Sequence, residues 1–243
     1  MFRITRQKKS CLFSCLLLLV AGVMDGQAQI SKAEQFTFIR IRWTDNGIRY
    51  GYGFSTTAPL WAHDYPRAEK NLYNVMKATT NIKVAKEYNI LTFADDEIFE
   101  YPFIYACEIG YLKLSESEIK NLREYLLRGG FLMVDDFRFP VELNNWIREI
   151  RKVLPDRPMV ELHINHPIFH CFFDLKDIEE PTPYLPNWPP KYYGIFDDQG
   201  RLMVMINYNT DVGDGWEWPD VDPGFSTESF KLGINYIIYS LTH

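Results

Sequence analysis

Residues 115–137 read SESEIKNLREYLLRGGFLMVDDF, and this stretch decides the fold. Ser115 and Glu118 have the spacing of a capping box, and Ile119, Leu122 and Leu126 fall on one helical face. Gly129 and Gly130 suit the left-handed turn that ends a helix. The unbroken apolar run Phe131 to Val134 then predicts a strand covered on both faces. Asp135 and Asp136 close that strand at its carboxyl end, the rim where open α/β sheets place their ligands.

Working outward, PFIYACE at 102–108 predicts a second buried strand, and the alternating run Phe36 to Trp43 a first one. Between that first strand and Pro66 lies NGIRYGYGFSTTAPLWAHDYP, a loop long enough to be functional or to pack as a lobe of its own. Pro66 suits the first turn of a helix whose inner face is Leu72, Val75, Met76 and Thr79. Residues 82–85 and 90–93 are short strand candidates. Toward the carboxyl terminus, Trp146, Ile147, Ile150, Val153 and Leu154 mark a helix stopped by Pro155, and Met159 to Leu162 a short strand. Five prolines within 176–190 exclude regular structure there. Tyr192–Phe196 and Leu202–Asn207 flank a turn and predict a hairpin. A last helix over 226–241 buries Phe230, Ile234, Ile237, Ile238 and Leu241. Strands alternating with helices predict an α/β three-layer sandwich: a mostly parallel sheet between helices, finished by a C-terminal hairpin and helix.

The first 28 residues read as a secretory signal peptide. Arg3, Arg6, Lys8 and Lys9 precede an apolar run from Cys11 to Met24, and Gly26-Gln27-Ala28 suits cleavage after Ala28. That run falls short of the ~20 residues that span a bilayer. The expectation is an exported protein, periplasmic or extracellular, with one domain over 29–243 and no transmembrane segment after cleavage. Without residues 1–28 the chain carries 22 Lys plus Arg against 31 Asp plus Glu, a net charge of −9. Nucleic acid is thereby disfavoured as a partner, because a phosphate backbone requires a basic stripe. A protein partner or a small polar or carbohydrate ligand remains. Cys107 and Cys171 either pair in an oxidising compartment or stay free and buried.

YPFIYACEIGYLKLS, EYLLRGGFLMVDDF, HPIFH, YYGIFDDQGRLMV, NTDVGDGWEW and LGINYIIYSLTH together resemble the bacterial domain-of-unknown-function 4159 family, in that family's order and over essentially the whole chain after the leader. The family is similar in fold to class I glutamine amidotransferases and ThuA-like proteins. The resemblance implies a flavodoxin-like sandwich, export or membrane association, and no assigned reaction. It also implies an exclusion. Amidotransferases end the strand after the corresponding helix with a cysteine between glycines, whereas here that strand reads FLMVDDF. Cys107, on the preceding strand between Ala106 and Glu108, lacks the paired glycines of a strained elbow, so cysteine–histidine amidotransfer is not expected.

The candidate chemistry is carboxylate-rich. Asp135 and Asp136 point to opposite faces of a regular strand, so at most one aims at the rim, with Asp136 further out. Each can be a metal ligand or general base, or can cap a helix and accept backbone N–H groups. Glu108 ends the other buried strand. Asp211, Asp214 and Glu217 are spaced three apart beside Gly213 and Gly215; oxygen ligands of this kind suit Ca²⁺ or Mg²⁺, although the spacing is not that of an EF-hand. They reach the same rim if the second hairpin strand runs parallel to the others; otherwise they form a solvated acidic loop pinned by Trp216 and Trp218. Those tryptophans could also stack on a sugar or a cation. His163, His166 and His170, with Asp174 or Glu161, are a zinc candidate that Pro167 weakens, and His166 is also a rim-shaping or catalytic candidate. His63 and Asp64 can reach the rim from the long loop, or Asp64 can help start the helix at Pro66.

Two functions follow. One is a non-catalytic binding or assembly module that kept the scaffold and lost the nucleophile. The other is a carboxylate- or metal-dependent hydrolase acting on a carbohydrate-like substrate. A divalent metal is the one cofactor the residues suggest.

Overall fold

The computed structural model describes residues 35–47, 59–179, 182–183 and 185–243; the expected leader and much of the long first loop lie outside the described residues. Seven strands form one sheet: β1 (Ile39–Ile41), β2 (Asn89–Leu91), β3 (Phe103–Cys107), β4 (Phe131–Phe137), β5 (Val160–Leu162), β6 (Lys191–Phe196) and β7 (Leu202–Tyr208). Their order is β2-β1-β3-β4-β7-β6-β5. The pairs from β2 to β7 are parallel, and β6 is antiparallel to both of its neighbours.

Period-two alternation along the strands builds two apolar layers. Ile104, Ala106, Leu132, Val134, Val204 and Ile206 pack with Leu122 and Leu126 of α2 (Glu116–Leu127) and with Trp146, Ile150 and Val153 of α3 (Phe139–Val153). Phe38, Phe103, Tyr105, Phe131, Met133 and Met205 pack on the other face. Their partners are Leu72 and Met76 of α1 (Arg67–Thr79), Trp216 of α4 (Val212–Glu217), and Phe230, Ile234 and Ile237 of α5 (Pro223–Thr242). The result is an α/β sandwich with a mostly parallel sheet.

The central stretch folds as its residues dictate. Ser115 Oγ accepts from the Glu118 N–H while the Glu118 carboxylate accepts from the Ser115 N–H, closing the capping box of α2. Gly129 has φ +109°, which frees the chain to turn into β4. The hairpin β6–β7 forms as expected. Other expectations are corrected. The first strand is three residues long, and Phe36 contributes only a single bridge to Val84, so 82–85 is not a strand. Residues 211–217 are not a loop, because Asp211 caps α4 by accepting from the Asp214 N–H at 2.9 Å. Of the two alternatives for Cys107 and Cys171, the free-thiol one holds, with Cys107 buried and Cys171 partly so.

Candidate metal centre

The parallel pairing of β3, β4 and β7 sends three chain segments out at one edge of the sheet, and a fourth arrives from the loop before α1. Each brings a carboxylate through a backbone that departs from the ordinary. Asp64, Glu108 and Asp136 have φ of +65°, +53° and +53°, and Asn209, which leads from β7 to Asp211, has φ +59°. Left-handed backbone is uncommon outside glycine, and strain of this kind gathers where function over-determines the fold. At Asp136 it accompanies a bulge: the register of β4 against β7 slips between Val134 and Phe137. The bulge turns Asp136 out of the strand's alternation.

The two neighbouring aspartates therefore part company. Asp135 stays in the sheet and accepts from the Gly213 N–H (2.9 Å), the Tyr105 hydroxyl (3.2 Å) and the Asn207 amide (3.3 Å), which fixes the start of α4. Burial and the charge of Asp136 push its carboxyl up to about 7, against those hydrogen bonds. Asp136 faces the rim. Its Oδ2 lies 2.8 Å from His63 Nδ1 and its Oδ1 is held by the Arg138 guanidinium, which reaches Asp211 Oδ2 at 3.1 Å. Burial opposes ionisation of Asp136, but Arg138 and His63 override it and hold the carboxyl below its usual range. His63 is affected in the reverse sense: burial would lower it, yet the hydrogen bond and charge of Asp136 raise it to about 10.

Three overlapping groups of ligand atoms result, each within 4.8 Å of one another: His63, Glu108 and Asp136; His63, Asp64 and Asp214; and Asp64, Asp136 and Asp211. Burial raises Asp64, Glu108 and Asp211 well above the ordinary carboxylate range, and the charge of Asp136 adds to the shift in all three. Asp64 is the exceptional member. Its side chain is 0% exposed, and among the described residues neither of its oxygens has a hydrogen-bond partner. It does not cap α1 through its carboxylate; its backbone carbonyl accepts from the Ala68 N–H instead. A buried carboxylate without hydrogen bonds either keeps its proton or is met by a cation. The only charged help for Asp64 among the described residues is His63 Nδ1 at 3.6 Å and the more distant Arg40.

Arg40 holds this arrangement in place from below. Fully buried on β1, it pairs with Glu69 of α1 at 2.5 Å and donates to the carbonyls of Trp61 (3.1 Å) and His63 (2.9 Å). The loop that carries His63 and Asp64 is thus tied to the sheet. Cys107 packs against the same guanidinium at 3.0 Å, and burial pushes its thiol up, which leaves it a structural residue.

The rim gathers His63, Asp64, Glu108, Asp136, Asp211 and Asp214, and leaves the other candidates elsewhere. Glu217 ends α4, where its carbonyl accepts from Asn71, and joins no metal-ligating group among the described residues. Trp216 offers no stacking face: it is wholly buried against Phe38 and Tyr105 and donates to the Ser229 carbonyl. Trp218 is exposed, with the Arg67 guanidinium over its ring at 4.0 Å. His166 packs on Phe196 and Tyr239 near the amino ends of the parallel strands, away from the carboxylates. His170 pairs with Asp174, and the three histidines of that segment form no shared ligand set among the described residues. Arg40 and Arg138 are the functional residues that the sequence reading missed. An arginine on the alternation of FTFIRIRW that also carries Phe38 is the signal that finds the first; nothing in the motif DDFR singles out the second.

A family model described as a domain of unknown function, DUF4159, matches residues 48–241. The chain belongs to the DUF4159 family. No curated protein matches it. The match takes in every ligand atom of the DUF4159 rim, whereas β1, with the Arg40 that steadies it, precedes the matched residues. Among the described residues, no helix is long and apolar enough to cross a membrane.

Proposed function

We propose that this protein is an exported, divalent-metal-dependent hydrolase built on a flavodoxin-like scaffold of the amidotransferase kind, with its centre at the carboxyl rim of the sheet. The observation that carries this reading is Asp64: a fully buried carboxylate, both oxygens without hydrogen bonds, within ligand reach of Asp136 and Asp211. A rim with no ligand to hold would have its carboxylates spent on backbone and other neutral donors. Asp135 fits that description and Asp64 does not.

Oxygen donors alone suit Mg²⁺, Ca²⁺ or Mn²⁺, and a cation bound by Asp64, Asp136 and Asp211 would supply Lewis acidity and an acidified water. The chain's own groups divide the remaining work. Arg138 holds Asp136 and Asp211 in position for the cation. Glu108, 7% exposed and raised well above its ordinary range, is the general acid–base, and its left-handed backbone at the strand end turns it into the rim beside His63, 3.8 Å away. A carbohydrate-like substrate is supported by Trp188. This partly exposed ring packs edge-on to Phe139 at 5.0 Å, directly after Arg138, and offers a flat apolar face to a sugar.

The test is a thermal-shift titration with Mg²⁺, Mn²⁺ and Ca²⁺, followed by a screen of chromogenic glycosides and esters with the cation that binds. Stabilisation together with cation-dependent turnover supports the proposal. No stabilisation by any of the three ions overturns it.

A further inference from the structure

We infer that the rim holds two divalent cations, bridged by the carboxylate of Asp64. The inference rests on the reading of the rim as a metal centre and goes beyond it. One cation sits among Asp64, Asp136 and Asp211, the other among His63, Asp64 and Asp214.

The first argument is the division of labour within Asp64. Its two oxygens face different surroundings. Oδ1 lies 3.6 Å from His63 Nδ1, whereas Oδ2 points toward the first turn of α4, where a Cβ placed on Gly213 would come within 2.4 Å of it. Both oxygens are buried and without hydrogen bonds, so one cation bound through a single oxygen would leave the other orphaned. A bridging carboxylate satisfies both.

The second argument is charge. Asp64, Glu108, Asp136, Asp211 and Asp214 bring five formal negative charges to the rim, and Arg138 returns one. Asp135 stands apart because its carboxylate is held by neutral donors. These carboxylates lie close together in a largely buried site, where their mutual repulsion is weakly screened, and a second divalent ion relieves it further than one alone.

The third argument is exclusion. The group His63, Glu108 and Asp136 shares His63 with the second position and leaves both Asp64 oxygens without a partner. The His63–Asp64–Asp214 position uses the orphaned residue and leaves Glu108 free for proton transfer. Two ions about 3.5–4 Å apart clamp the attacking and leaving oxygens of a displacement, which suits hydrolysis.

Titration of the purified protein with Mn²⁺, followed by calorimetry and electron paramagnetic resonance, tests the inference. The expected result is two Mn²⁺ per chain at saturation with an exchange-coupled spectrum. Asp214→Asn, at a partly exposed position and with its fold checked by circular dichroism, should fall to one Mn²⁺ with an isolated six-line signal. Asp211→Asn should also fall to one. A single Mn²⁺ in the unaltered protein, two that are magnetically independent, or two retained by Asp214→Asn each overturn the bridge while the metal-centre reading stands. No Mn²⁺ at all overturns that reading itself.

Discussion

Asp64 and Gly213 approach so closely that no side chain fits between them: a Cβ on the glycine would lie 2.4 Å from Asp64 Oδ2 and 2.8 Å from the Tyr105 hydroxyl. The loop before α1 and the first turn of α4 are therefore locked together at the rim. Asp64 is pressed against backbone with no hydrogen-bond donor for its charge among the described residues. The consequences of that arrangement can be measured.

In the presence of a chelator and above neutral pH, Asp64→Asn should stabilise the protein, because burial first, and then the charges of Asp136 and Asp214, oppose ionisation of Asp64 more than His63 and Arg40 favour it. A gain of about 1 kcal/mol would appear as a Tm rise of about 2–4 °C for a domain of this size. The same variant should lose the stabilisation that divalent cations give the unaltered chain. A lower Tm under chelation would contradict the orphaned charge.

The chelated protein should lose stability as pH rises from 6 to 9. Asp64, Glu108 and Asp211 are raised well above their ordinary values, Asp135 to about 7 and His63 to about 10. Each group binds its proton more tightly in the folded state, so its contribution is present at low pH and disappears as pH passes its folded value. Asp136 has the opposite sign, but its window lies below that of an ordinary carboxylate. Saturating cation should flatten the profile, since bound metal replaces the protons. Denaturation midpoints measured at several pH values, with and without metal, check both statements.

Glu108→Gln should keep cation binding and lose turnover. Positioned general acid–base groups contribute typically 10²–10⁴-fold, so a fall of about that size in kcat is expected. Unchanged kcat with a raised KM would make Glu108 a binding residue instead.

Arg40→Met should be severely destabilising, because it leaves Glu69 charged and unpaired in the core. Breaking a buried pair costs about 3–5 kcal/mol. Adding Glu69→Leu should recover most of the loss in urea denaturation. The double variant should still bind cation more weakly than the unaltered protein, since the carbonyls of Trp61 and His63 lose their anchor.

The layered α/β architecture was legible because it rests on local signals: the capping box at Ser115, the glycine stop, and apolar runs bounded by turn residues. The rim was legible in outline, since parallel strands deliver Glu108, Asp136 and Asp211 to one edge. The parallel direction of β7 was the condition on which Asp211 and Asp214 depended, and it holds. Other features were hidden for physical reasons. Trp216 looked available for stacking because it sits among acidic and glycine residues, but a six-residue helix turns it into the core. The bulge at Asp136 defeats the alternation rule that assigns neighbouring side chains to opposite faces. Arg138 and Arg40 act through contacts 73 and 29 residues away, which no spacing pattern encodes.

The residues of the centre are scattered along the chain: Asp64 precedes the second strand, and Asp211 follows the seventh. An unfolded chain presents no such cluster, so the proposed ions would be captured only once the sheet has closed. If the leader carries this polypeptide across a membrane before it folds, the cargo travels empty. The compartment of arrival, not the one of synthesis, then chooses the metal.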